Sequence, residues 1–339
     1  MTLMKQQTLK YEAINCAIGL KKMLDKNPLL FGNNHDKLFE IVDTFNILGN
    51  PKLIAEIALL ENSGYDLSIK FGKSDEFLTS KENFSSLFDS LYSNRIEGVP
   101  YYLEFDTFSR MERYKQPALF LTLENKPIEY IYMFLNIINE KERAKRIKNF
   151  CTEIFPHLIP VHIGIFNDRI NMPIRLTCKF SSLTSNLEKI LREKFDHEVI
   201  NGSFEILNNI FASKLFYRFA FDFDLLENGQ LGKRISYEFK INQRGPQEKR
   251  KFLHSKEWND FCNYLIYLGI ADKRIFSLEK CISTDPIEGS TDLFCSISIS
   301  HFKISWNNGR MEPLKVYIKS KCIDSEIFNK KNKDKLKIY

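Results

Sequence analysis

Apolar and polar residues alternate strictly in short segments that come in pairs. In 174–180, Ile174, Leu176, Cys178 and Phe180 alternate with Arg175, Thr177 and Lys179. In 217–224, Tyr217, Phe219, Phe221 and Phe223 alternate with Arg218, Ala220, Asp222 and Asp224. Successive side chains of a strand point to opposite faces, so each such segment reads as a strand with one oily and one charged face. Four pairs follow this rule: 101–106 with 118–124, 161–166 with 174–180, 217–224 with 234–240, and 295–303 with 314–319. A fifth and less regular pair joins 65–71 to a short partner at 76–79. Turn residues separate several partners, as in Asn167-Asp168-Arg169, Glu227-Asn228-Gly229 and Asn307-Asn308-Gly309. Alternation slips near Ser300-His301, which predicts a bulge there.

Between the pairs, apolar residues recur at helical spacing. The predicted helices are 11–24, 36–48, 52–61, 83–93, 128–150, 183–195, 204–211, 257–268 and a short piece at 275–281. A doubly wound fold needs single strands alternating with helices, and this order does not supply them. A helix can cover the oily face of each hairpin while the other face stays polar. Four or five hairpins give eight to ten strands, enough to close a barrel and remove its edges. The expected fold is therefore α+β: helix–strand–strand–helix units closing an antiparallel β-barrel, with helices outside. No Pro/Gly/Ser-rich linker divides the chain. One barrel domain over 1–324 is expected, with a helical N-terminal segment (1–64) and a basic C-terminal tail (325–339).

Composition narrows the setting. With 339 residues, 43% of them hydrophobic, the chain can bury a sizeable core, and 27% charged residues exclude wholesale disorder. The net charge of +6 lies partly in the tail and forms no dense stripe, so a nucleic-acid partner is not expected. The seven cysteines form no Cys-x-x-Cys pair and several fall at apolar positions, as expected of reduced thiols in a cytoplasmic protein. The first ten residues lack a signal-peptide core and no apolar run is long enough to span a bilayer, so no membrane association is expected.

With the oily positions turned outward, an inward set remains. It includes Tyr102 and Glu104, Phe120 and Thr122, His162, Arg175, Thr177 and Lys179, Arg218 and Asp222, Ser236 and Glu238, Lys303, and finally Lys315, Tyr317 and Lys319. Both signs of charge line one face, which suits a polar lumen. Asp222-x-Asp224 reads as a pair of structural or luminal carboxylates within a strand. His162 and His301 show no metal-ligand spacing. No phosphate loop, dinucleotide turn or serine elbow is present.

This inventory resembles the lumen of the ABBA-type aromatic prenyltransferases. Two stretches carry the resemblance: Gly98-Val99-Pro100-Tyr101-Tyr102-Leu103-Glu104-Phe105, and His301-Phe302-Lys303-Ile304 with Leu314-Lys315-Val316-Tyr317-Ile318. It extends over roughly 65–321. The second and third hairpins lack the Lys-x-Tyr that recurs in that family. The resemblance implies a transferase of natural-product or peptide modification. It would move a prenyl group from an allylic diphosphate to an electron-rich aromatic small molecule or peptide side chain. Glu104 would orient or deprotonate the acceptor. Arg175, Arg218, Lys303 and Lys315 would hold the diphosphate. Tyr102 and Tyr317 would shield the allyl cation, with His162 and Glu238 lining the lumen. No Asp-Asp-x-x-Asp cluster is present, and the resemblance implies no metal and no cofactor. Two other readings use the same basic face: a peptide-tailoring lyase or cyclase with a phosphate-holding cavity, and a non-catalytic module that binds a peptide or partner.

Overall fold

The computed structural model describes residues 3–33, 35–45, 47–48, 50–60, 64–71, 76–77, 100–105, 117–123, 127–137, 140–154, 158–166, 173–180, 185–195, 197–226, 228, 230–241, 246–287 and 293–324. Ten strands form a closed antiparallel ring in simple sequence order. They are β1 (Lys52–Ala58), β2 (Asp66–Lys70), β3 (Tyr101–Phe105), β4 (Ala118–Thr122) and β5 (Ile159–Ile165). The second half contains β6 (Ile174–Phe180), β7 (Phe216–Leu225), β8 (Leu231–Ile241), β9 (Leu293–Asn307) and β10 (Lys315–Asp324). Each strand pairs with the next, and β10 pairs back onto β1, so the ring has no free edge. The expected closure and the upper limit of the expected strand number are both found.

Among the described residues, helices precede the first hairpin and fill the three intervals after the second, third and fourth. The N-terminal group is α1 (Leu3–Asp25), α2 (Pro28–Phe31) and α3 (Asp36–Thr44). Then come α4 (Pro127–Ile137) and α5 (Lys141–Ile154), α6 (Ser185–Lys194) and α7 (His197–Ala212), and α8 (Pro246–Leu253) and α9 (Lys256–Tyr267). A 3₁₀ segment, Lys273–Cys281, leads back to the barrel. No helix among the described residues is long and apolar enough to cross a membrane.

The core lies between the barrel's outer face and these helices. Phe219, Phe221 and Phe223 alternate outward on β7 and are buried. Phe211 of α7 packs on Phe219 with ring centroids 4.1 Å apart, and Phe195 meets Phe221 edge-on at 5.3 Å. Each such ring, fully buried, contributes about 1.5–3 kcal/mol. On the other side α1 lies close against β9. A Cβ at Gly19 would come within 2.1 Å of the Cys295 sulfur, so only glycine permits this approach.

Several sequence readings need correction. The stretch 52–61 is not helical: it supplies β1. Leu53, Ala55 and Ile57 do alternate outward and are buried, but the luminal positions Ile54 and Ala58 are apolar too and hide the two-residue period. Pairing with β2 and β10 overrides the helix preference of Leu, Ala and Glu. The N-terminal helical segment therefore ends at Thr44, and the fifth hairpin is β1–β2. Glu76–Phe77 pairs with Ile47–Leu48 instead of β2. The single helix expected at 128–150 is two, α4 and α5. The bulge expected near Ser300-His301 is present, as a register shift between Ile299 and His301. The helix expected at 83–93, the turn at 167–169 and the tail after 324 lie outside the described residues.

Candidate active site

Strands in a closed barrel tilt and stagger, so the pairings followed around the ring sort the inward residues by height. Three tiers result. Lys52, Lys70, Lys179, Arg218, Lys240 and Lys319 form the mouth. Tyr102, Phe120, His162, Glu238, His301 and Tyr317 form the waist. Glu56, Glu104, Arg175, Asp222, Asp224, Lys303 and Lys315 form the floor.

At the floor, cations meet carboxylates. Arg175 donates to both oxygens of Asp224, at 2.7 and 3.0 Å, and its guanidinium lies 4.5 Å from the Phe166 ring centre. Lys303 pairs with Asp222 and lies 3.5 Å from Glu238. Lys315 pairs with Glu56. Burial alone would raise the Glu56 carboxyl, but Lys315 and the Tyr317 hydroxyl outweigh it and hold the group at about 2. Burial opposes ionisation of Asp222 in the same way, and Lys303 and Arg175 overcome it. Lys315 in turn is held above its ordinary value by Glu56, against the effect of burial.

The waist is aromatic on two sides. Tyr102 and Phe120 stack at 4.6 Å with ring planes only 4° apart, and His162 meets Tyr102 edge-on at 5.4 Å. Gly164 is the residue opposite Phe120, and a Cβ there would sit 2.1 Å from the ring, so this glycine makes room for the stack. Across the barrel His301 stacks on Tyr317 at 4.0 Å. The β9 bulge turns Ser300 and His301 both towards the lumen. Burial, reinforced by Lys70, lowers His162 to about 3, and burial with Lys240 and Lys303 lowers His301 as well. Both rings are neutral near pH 7. Burial, with Asp222 beside it, raises Glu238 to about 7 against the pull of Lys303 and Lys240. Its carboxylate lies 3.7 Å from His301 Nε2. This is a carboxyl able to accept or release a proton at neutral pH.

The mouth has a different balance. Lys52, Lys179, Arg218, Lys240 and Lys319 make no ion pair among the described residues. Burial and then Lys249, Lys321, Lys240 and Lys52 lower Lys319 to about 8. Arg218 adopts φ 55°, next to a register shift between β7 and β8. Such a backbone costs of order 1–3 kcal/mol and marks a place where a side chain is re-aimed.

One cavity of about 150 Å³ is lined by Glu104, Tyr102, His162, Arg175, Glu238, Lys303 and Tyr317. Seven of the nine site residues expected from sequence thus converge on it. Arg218 lines a second cavity of about 750 Å³ at the mouth, which shares His162, Thr177, Glu238 and Lys240 with the first. Lys315 is not in the lining. Sequence reasoning missed Glu56 because β1 was read as a helix. It missed Lys70 and Lys240 although parity with Ser68 and Glu238 places them inward. Lys249 comes from α8 and carries no strand signal.

No family model matches the chain, and no curated protein matches it. Among solved structures, AnaPT from Neosartorya fischeri is 12% identical with a TM-score of 0.47, over 79% of this chain and 77% of that one. The NotF prenyltransferase is 10% identical with a TM-score of 0.43, over 81% of each. The chain's own strand pairing gives a ten-strand antiparallel ring built from helix–strand–strand–helix units, polar inside and clad in helices, which is the architecture expected from the sequence.

Proposed function

We propose that the chain transfers a prenyl group from an allylic diphosphate to an electron-rich aromatic acceptor. What supports this reading is the order of the tiers: Lys179, Arg218 and Lys319, which make no ion pair among the described residues, stand above an aromatic waist that holds a carboxyl titrating near neutrality. Lys179, Arg218 and Lys240, which line the mouth cavity, would hold the diphosphate. Arg175, Lys303 and Lys315 are neutralised by carboxylates and would shape the lumen from below. The allylic C–O bond breaks and its electrons leave with the diphosphate. Tyr102, Phe120 and Tyr317 present π faces to the cation that remains. An aromatic carbon of the acceptor forms the new C–C bond, and Glu238 or Glu104 takes the proton released as aromaticity returns. Lysine and arginine charge would do the work that Mg²⁺ does in other diphosphate chemistry, and the reading calls for no cofactor.

Calorimetric titration with dimethylallyl and geranyl thiolodiphosphates tests it. Binding is expected with and without Mg²⁺, weakening as salt rises, and the Arg218→Ala/Lys240→Ala variant should lose at least tenfold in affinity. If neither analogue binds, the reading fails. Binding of the analogues, with no transfer from the reactive dimethylallyl or geranyl diphosphate to any aromatic acceptor, would favour a binding module.

A further inference from the structure

We infer that the acceptor itself carries an oxyanion, a carboxylate or a phosphate, received by Lys249 and Lys319 beside the β9 bulge. The inference rests on the reading above, in which the diphosphate occupies the β6–β8 side of the mouth. Three elements bring lysines to one short stretch of β9. Lys319 of β10 lies directly across from Ser298. Lys249 of α8 donates from Nζ to the carbonyl of Ile299 at 2.7 Å. Lys240 of β8 follows Phe239, whose partner is Phe302, and so reaches the bulge at His301. Neither Lys249 nor Lys319 has a carboxylate partner among the described residues.

The contrast with the floor gives this arrangement its meaning. Arg175, Lys303 and Lys315 are each matched by an acid within the protein. Around Ser298–His301 lysines gather instead: burial lowers Lys240, Lys249 and Lys319 together, neighbouring lysines lower Lys249 and Lys319 further, and only Lys240 feels an opposing carboxyl, Glu238. Holding like charges together in a half-buried place is unfavourable unless an anion joins them. A diphosphate held by Lys179, Arg218 and Lys240 on β6, β7 and β8 leaves Lys249 and Lys319, on the β9–β10 side, without an acid partner among the described residues. The bulge also links this cup to the waist, because His301 belongs to both and stacks on Tyr317. An aromatic ring resting on that wall would have its anionic substituent next to Lys319 and Lys249.

Matched probes test the inference on the full chain saturated with dimethylallyl thiolodiphosphate. Indole-3-acetate and indoxyl phosphate are each compared with neutral indole-3-acetamide by calorimetry. At least one anionic probe is expected to bind tenfold or more tighter than the amide, and the better of the two identifies the group. In Lys249→Gln/Lys319→Gln the gap should shrink to within twofold while thiolodiphosphate affinity holds. Lys319→Glu, a second variant that keeps a long side chain, should reverse the preference in favour of the amide. Equal binding of all three probes to the unaltered protein would overturn the inference. So would a double variant that loses thiolodiphosphate as strongly as the anionic probes, because the lysines would then belong to the diphosphate. If the thiolodiphosphate fails to bind while anionic probes still discriminate, the transferase reading and the acceptor assignment fall, and an anion site remains.

Discussion

The two ends of the barrel lumen both carry lysine and arginine and differ in how that charge is matched. At the floor, Arg175, Lys303 and Lys315 each meet an acid, and Asp222 and Glu56 stay ionised despite burial. At the mouth, Lys179, Arg218, Lys240 and Lys319 have no such partner among the described residues. Buried pairs are costly to break, since removing one partner strands the other charge. Unmatched cations are costly to keep. The floor is therefore part of what holds the barrel, and the mouth is part of what it holds for something else. The sharpest way to break this comparison is to remove one charge from each end. Asp224→Ala, which strands Arg175, should cost about 3–5 kcal/mol in urea denaturation. Lys319→Met should leave the midpoint unchanged or raise it. Equal losses from both variants would dissolve the distinction between the ends.

The waist allows a smaller test. Gly164→Ala places a methyl group where the Phe120 ring now lies, so the ring must leave its stack on Tyr102. Overpacking of this kind costs about 1–3 kcal/mol. Thermal melts should show that loss, and aromatic probes should bind more weakly while thiolodiphosphate binding at the mouth persists. A loss of both affinities together would mean that waist and mouth are not separable.

Much of this layout could be read from alternation, because strand parity fixes which residues share a face. Tyr102, Glu104, Arg175, Glu238, Lys303 and Tyr317 were expected inward, and they line one cavity. The bulge at Ser300-His301 was visible as a break in parity, and the register shift is there. β1 was not legible, since apolar Ile54 and Ala58 on its luminal face imitate a helix, and Glu56 was lost with it. The pairing of charges was not legible either. A strand reports that Arg175 and Asp224 both point inward, but only register brings them together, and register comes from the whole ring. Lys249 was out of reach for a further reason: it meets the β9 bulge from a helix, where two-residue parity says nothing.

The pH dependence of stability gives the finest contrast between the ends. Glu56 is held at about 2, below its ordinary 4.5, so its contribution is present above 4.5 and is lost as pH falls through about 2. Glu238 is raised from 4.5 to about 7. The folded state binds more protons than the unfolded state in that window, so stability falls as pH rises from 4.5 to 7. Glu238→Gln should flatten that slope. Lys319 shifts the opposite way, from 10.5 to about 8. Here the unfolded chain binds more protons, so stability rises with pH from 8 to 10.5, as deprotonation relieves the crowding at the mouth. Denaturation midpoints measured across this range should show the rise in the unaltered protein and a flatter course in Lys319→Gln. A saturating anionic probe should flatten it too, because a bound oxyanion holds the lysine protonated. An alkaline rise that survives both treatments would mean that the mouth lysines do not repel one another. The contrast with the paired floor would then lose its energetic basis.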